Sequence, residues 1–357
     1  MPLYVTIKGG VDTMQQYTYP PYRQYLSQPV VTKDAIRKNT QSKLRKRCTA
    51  IGFYALTYMA TMIALSTGIT LILTQLNINI TETLKQFSDT FISVGSAFIP
   101  GILFMAAIGF KPREAFGKTS VGFTTLLPLV LMGMAVAMMS NIASSIFESN
   151  LSLFGLQNHA GYTESDAYSP LDIILTLISG AIVPAFAEEF AFRGLIMGSL
   201  KKYGRAFAVI GSSILFSALH ANTTQIVFTF PVALVFGYID MVTDSIIPSI
   251  ILHFMNNFYA FLLTIFSTNN NLDSNFVFTV QLVIILLFVI SGLLSFIYLL
   301  KSKKLSFDLS DKENHSEPGA NLLTMKNKMC AFLVNPGVMI ALSAFLLITI
   351  LNFFPVS

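Results

Sequence analysis

The chain has 357 residues, 53% of them hydrophobic and 11% charged, with 23 Lys+Arg against 18 Asp+Glu. Soluble domains carry roughly 25% charged residues, so this composition excludes an ordinary cytosolic enzyme, a disordered tail and a nucleic-acid binder. It describes a polytopic membrane protein, an all-α bundle in which each remaining charge needs an explanation. The two cysteines, Cys48 and Cys330, match no disulfide or metal spacing.

Residues 1–48 are polar, with Lys43, Arg45, Lys46 and Arg47 at their end, and read as a basic cytosolic tail. Cys48 then sits at the membrane boundary, a plain interfacial position that is open to acylation. The first span begins too late and is too long for a signal peptide. A spanning helix needs about 20 mostly apolar residues, because backbone groups in lipid must bond within the segment. Such stretches are predicted at 49–76, 89–110 and 120–147, then at 171–200, 206–221, 226–240, 246–266, 276–300 and 331–354. The fifth and sixth are short and Pro231 interrupts the sixth, so the count is eight or nine. Between the third and fourth lies an acidic outer loop, 148–170, whose apolar stretch Leu151 to Leu156 suits the interface. Residues 301–330 form a polar linker before a last helix in 331–357.

The basic residues orient the bundle. Of the 23, the tail holds nine, residues 111–118 three, residues 201–205 three and the linker six, all on one side if nine spans alternate. The positive-inside rule then places the N-terminus in the cytosol. Arg193 lies within a span and stands apart.

Polar residues interrupt the apolar helices at four places: Glu188-Glu189 with Arg193, Ser217 with His220, His253 with Asn256-Asn257, and Asp240. At about 1.5 Å per helical residue, Glu188 lies roughly 20 Å from Lys201, and His220 roughly 22 Å from Arg205. His253 and Asn257 lie roughly 14 and 20 Å beyond Asp244 by the same rise. Three helices thus bring ionisable groups to one level, with access expected from the cytosolic face. Glu189 and Arg193 are spaced i,i+4 with the acid first, the better order for an intrahelical pair, which leaves Glu188 free on an adjacent face. A Glu beside a His around one water makes a general base. A His and an Asn spaced i,i+4 can donate to an oxyanion. Singly, a membrane His or Asn is commonly interhelical glue; Phe190, Phe192 and Phe216 read as packing, and Asp240 and Asp244 as facing a cytosolic turn. The joint set reads as a water-activating hydrolase buried in the membrane.

At these residues the sequence resembles the CAAX-protease and bacteriocin-processing (CPBP, Abi) family of intramembrane peptidases. The family's Glu-Glu-x-x-x-Arg, Phe-x-x-x-His and His-x-x-x-Asn motifs read here as Glu188-Glu189…Arg193, Phe216…His220 and His253…Asn257. The resemblance covers roughly 171–266, within a bundle running from 49 to 300. It implies a helical bundle with a cavity open to the cytosol and an endopeptidase cutting near the C-terminus of a lipidated or hydrophobic peptide. It implies that Glu188 and His220 activate water, that His253 and Asn257 hold the oxyanion, and that Glu189 and Arg193 support the helix. The family is often labelled metalloprotease, and Glu188, His220 and His253 could ligate zinc. His-Glu-x-x-His is absent, however, and no obligatory metal is expected. Expected partners are membrane lipids and a hydrophobic or lipidated peptide, not nucleic acid; a membrane-protein partner stays open. A bacterial plasma membrane is the favoured location. Two other classes remain: a non-catalytic scaffold or bacteriocin-immunity regulator that keeps the motif, and a proton-relaying transporter, against which the lack of an inverted repeat counts.

Overall fold

A computed structural model of the protein describes residues 32–118, 121–158, 169–268, 273–304, 309 and 317–355. Most of the tail (1–31), the middle of the outer loop (159–168) and much of the linker (305–308, 310–316) lie outside the described residues, and with them the readings made there.

Ten principal helices build the described chain. The first, α1 (Lys33–Gln75), starts within the basic tail, where the Thr32 hydroxyl accepts from the Ala35 amide at 3.2 Å. At about 1.5 Å per residue it is twice as long as a bilayer core is thick. There follow α2 (Glu82–Ile108), capped by Thr81, and α3 (Phe123–Leu153). The next, α4 (Pro170–Tyr203), is a composite helix, capped by a box between Ser169 and Asp172. Then come α5 (Arg205–Leu219), α6 (Thr223–Thr243), α7 (Ile247–Ser267) and α8 (Ser274–Lys301). The last apolar stretch is broken into α9 (Met325–Leu333) and α10 (Pro336–Leu351), bent by 64°. Pro336 has no amide hydrogen and holds Asn335 extended, so a helix must end there.

Seven of these helices are long and apolar enough to cross a membrane, or eight with α9 and α10 counted as one span. The ninth candidate, α5, has 15 residues, about 22 Å. It is packed inside the protein, with Ser212, Ser213 and Ser217 buried, so it need not match the bilayer on its own. The outer stretch read as interfacial is the end of α3 followed by a short strand, Leu156–Asn158, paired antiparallel with Phe353–Pro355.

The basic segments gather at one end of the bundle. Glu317 of the linker pairs with Lys43 of α1 at 2.6 Å and with Lys202 at 3.2 Å. Next to Lys202, Lys201 pairs with Asp244, whose carbonyl accepts from the Lys118 amide at 2.8 Å. The opposite end is tied by Thr224 to Glu148 and by the Asn352 side chain to the Ala221 carbonyl at 3.0 Å.

In lipid, small residues let helices approach closely. A Cβ at Gly292 of α8 would stand 2.8 Å from the Leu131 carbonyl oxygen of α3, and one at Gly52 of α1 would fall on the backbone of Gly337 in α10. One apolar core lies around α1, α4, α5 and α9–α10, with Phe192, Phe207, Phe332 and Phe345 buried, and Cys48 is fully buried within it. A second joins α3, α6, α7 and α8 through Met134, Met138, Phe236, Leu252 and Leu299.

Candidate active site

The helix that carries both glutamates is irregular. Pro184 cannot donate a backbone hydrogen bond, and the turn before it, Ile178–Ile182, is π-helical. After the ordinary turns Val183–Glu189, a second π stretch runs over Phe190–Met197. Such wide turns cost hydrogen-bond geometry and concentrate at functional places.

Glu189 is fully buried and divided between two partners. One oxygen meets Arg193 Nε at 3.0 Å, the i,i+4 pair expected from the spacing. The other accepts from His253 Nδ1 at 2.8 Å, across the gap between α4 and α7. The Arg193 guanidinium lies 4.3 Å from the centre of the Phe216 ring. Phe216 in turn stands edge-on to the rings of Phe192, His220 and His253. A single aromatic residue of α5 therefore packs against cation and both imidazoles, which is more than the packing role its type suggested.

Each imidazole lines the cavity and has its Nδ1 held by a hydrogen bond. His220 Nδ1 lies 2.8 Å from the Phe216 carbonyl. A carbonyl only accepts, so Nδ1 carries the proton and Nε2 of the neutral ring accepts. His253 has Nδ1 on Glu189, while its Nε2 is 4.0 Å from Glu188 Oε2. Asn257 is held by its neighbour: Asn256 donates to its side-chain oxygen at 3.4 Å, and Asn141 of α3 donates to Asn256 at 3.3 Å. That chain leaves the Asn257 amide nitrogen to donate.

Glu188, His220, His253 and Asn257 line one cavity of about 190 Å³, together with Phe216, Gln225, Phe228, Thr229, Val232, Phe236 and Asn256. The structure thus brings all four sequence candidates to a common void. It adds Asn256, Asn141 and Gln225, which the sequence did not single out. Asn256 was visible only as the twin of Asn257, and nothing about Asn141 distinguished it from a polar residue in a span. Asp240 is buried beside the turn it was expected to face: it lines a small pocket with Asp244, Ser245 and Ile246, and its side chain accepts from the Ser249 amide at 3.1 Å. That bond satisfies the amide of Ser249, one turn before His253.

As placed, Glu188, His220 and His253 do not make a ligand set. Among the described residues no three His, Cys, Asp or Glu groups converge as they would around a metal ion. Two of the four imidazole nitrogens are already committed to Phe216 and Glu189.

Residues 170–259 match the family model described as type II CAAX prenyl endopeptidase Rce1-like. No curated protein and no solved structure matches the chain. The matched segment runs from the start of α4 to the middle of α7 and contains Glu188, Glu189, Arg193, His220, His253 and Asn257. Over that segment the chain is similar to the CPBP membrane peptidases, and its long apolar helices mark it as an integral membrane protein.

Proposed function

We propose that the protein is an intramembrane endopeptidase that hydrolyses a peptide bond near the C-terminus of a lipidated or hydrophobic peptide, using Glu188 and His220 to activate water. The observation that carries this reading is the shared cavity, lined by one free carboxylate, two imidazoles with an open Nε2 and an oriented amide. A water in that cavity donates one hydrogen to His220 Nε2 and loses the other to Glu188 as its oxygen attacks the carbonyl carbon. The oxyanion is met by the Asn257 amide and by His253 Nε2, with His253 as an imidazolium. In that form the charges of Glu188, Glu189, Arg193 and His253 sum to zero, which lowers the cost of keeping them in hydrocarbon. When the carbon–nitrogen bond breaks, Glu188 returns its proton to the leaving amine. Arg193 keeps Glu189 ionised and in place, and Glu189 keeps His253 aimed at the cavity. No metal is assigned a role. A cytosolic N-terminus in a bacterial plasma membrane completes the reading.

The test is a digest of hydrophobic and prenylated peptides by purified protein in proteoliposomes, analysed by mass spectrometry. Wild-type protein cleaves near peptide C-termini, and Glu188→Gln loses about 10² to 10⁴ of the rate. Equal cleavage by Glu188→Gln overturns the assignment.

A further inference from the structure

The cavity is closed on one side and open on the other, and the sides are not equivalent. Towards the basic end lie Glu189, Arg193, Phe216, Phe236, Asp240 and Leu252, all buried; the smaller pocket beyond them, of about 40 Å³ and lined by Arg193, Lys201, Asp240 and Asp244, shares no lining residue with this cavity. Away from that end the packing loosens: the Glu188 side chain is 23% exposed, His253 is 11% exposed, and Gln225 is exposed. Gln225 stands in the first turn of α6, whose other end is Thr243. Counting along that helix, Gln225 is about 28 Å from Asp244, the residue that joins Lys201 and Lys118 at the basic end. The floor therefore faces the basic residues and the rim faces away from them.

Charge fixes which side is which. Of the 20 Lys and Arg among the described residues, 18 fall in the four segments that gather at the basic end, and the other two are Lys85 and the buried Arg193. An asymmetry of that size holds the basic end in the cytosol. We propose that the cavity is entered from the non-cytosolic side of the membrane, and that the substrates are hydrophobic peptides exposed there. This reverses the cytosolic access implied by the sequence resemblance. The side of entry rests on the placement of rim and charges; the nature of the substrate rests on the peptidase reading above. Its chemistry follows from the rim and walls, where Gln225 and Asn257 offer hydrogen bonds and Phe228, Val232 and Phe236 offer an apolar surface.

Cysteine accessibility tests it. In a background with Cys48→Ala and Cys330→Ser, Gln225→Cys marks the rim, Phe228→Cys the wall just inside it and Lys111→Cys the basic end. A membrane-impermeant maleimide is applied to sealed right-side-out and inverted vesicles from a bacterial host. Gln225→Cys and Phe228→Cys label in right-side-out vesicles and lose that label when inverted; Lys111→Cys does the reverse. Rim labelling confined to inverted vesicles, or absent from both, overturns the proposal. The same right-side-out vesicles, with the wild-type chain, are then given a hydrophobic peptide from outside, with Glu188→Gln as the blank. Correct labelling without cleavage from either side overturns the peptidase reading and leaves the side of entry standing. Cleavage only in inverted vesicles overturns the side of entry and leaves the peptidase standing.

Discussion

Glu189 and His253 are joined across two helices by a 2.8 Å contact between a fully buried carboxylate and an imidazole Nδ1, while the same carboxylate faces Arg193 at 3.0 Å. The acid is thus common to fold and site. Removing its charge leaves a guanidinium in the interior without its counter-ion, a loss of about 3–5 kcal/mol. Glu189→Gln is expected to lower the unfolding midpoint in detergent strongly and to abolish turnover. The double variant Glu189→Gln/Arg193→Met should regain much of the midpoint but not the activity, because His253 remains unanchored. Thermal unfolding and peptide cleavage on the three proteins decide this.

Asn257 is expected to act mainly in the transition state. Asn257→Ala should lower kcat by about 10² to 10³, the scale of a lost oxyanion donor. Asn141→Ala, which removes only the far end of the chain through Asn256, should lower kcat less and leave KM near its starting value. Steady-state kinetics that show a change in KM alone would place Asn257 in substrate binding instead.

Close packing of α3 on α8 makes a separate prediction about stability. Gly292→Ala puts a methyl group against the Leu131 carbonyl oxygen and Ala135. Overpacking of this kind costs about 1–3 kcal/mol. Gly68→Ala in α1, whose added methyl meets nothing within 4 Å, should be neutral or slightly stabilising. Unfolding midpoints measured side by side give the comparison.

The linker makes a pH prediction. Burial raises the Glu317 carboxyl, but hydrogen bonds from Lys43 and Lys202 outweigh it and hold the group below its ordinary value. A carboxylate with a lowered folded pKa stabilises the fold at neutral pH, and that contribution disappears as pH falls through the carboxylate range. Both lysines are well exposed, so the effect is limited to about 1 kcal/mol. Glu317→Gln should lower the midpoint slightly at pH 7, and the difference from wild type should vanish at low pH and shrink in high salt.

The sequence made the span pattern legible because hydrocarbon tolerates so few alternatives: the helices around residues 49–76, 246–266 and 276–300 lie where apolar stretches put them. It also gave the level of Glu188, His220, His253 and Asn257, since depth follows from residue count along a helix. What it could not give depends on rotation and neighbours. The i,i+4 spacing identified the Glu189–Arg193 pair but not the contact of Glu189 with His253, which lies 64 residues away. Likewise Asp240 carries the same charge as Asp244 and only packing separates the buried acid from the one at the turn. Helix α1 begins earlier than hydrophobicity suggested because basic residues form helices well in water.

The two π stretches on either side of Val183–Glu189 have a consequence for how this helix tolerates changes in length. A π turn holds one residue more than an α turn over the same rise. Deleting a single residue within Phe190–Met197 can therefore be absorbed by relaxation to ordinary helix, with the cytosolic turn kept in register. The loss is felt inside the stretch instead: a residue deleted between Glu189 and Arg193 changes their spacing from i,i+4 to i,i+3 and moves the guanidinium off its present line to the acid. A shortened chain of this kind would insert and assemble while its cavity stayed inert, so the surplus residue serves aim rather than architecture.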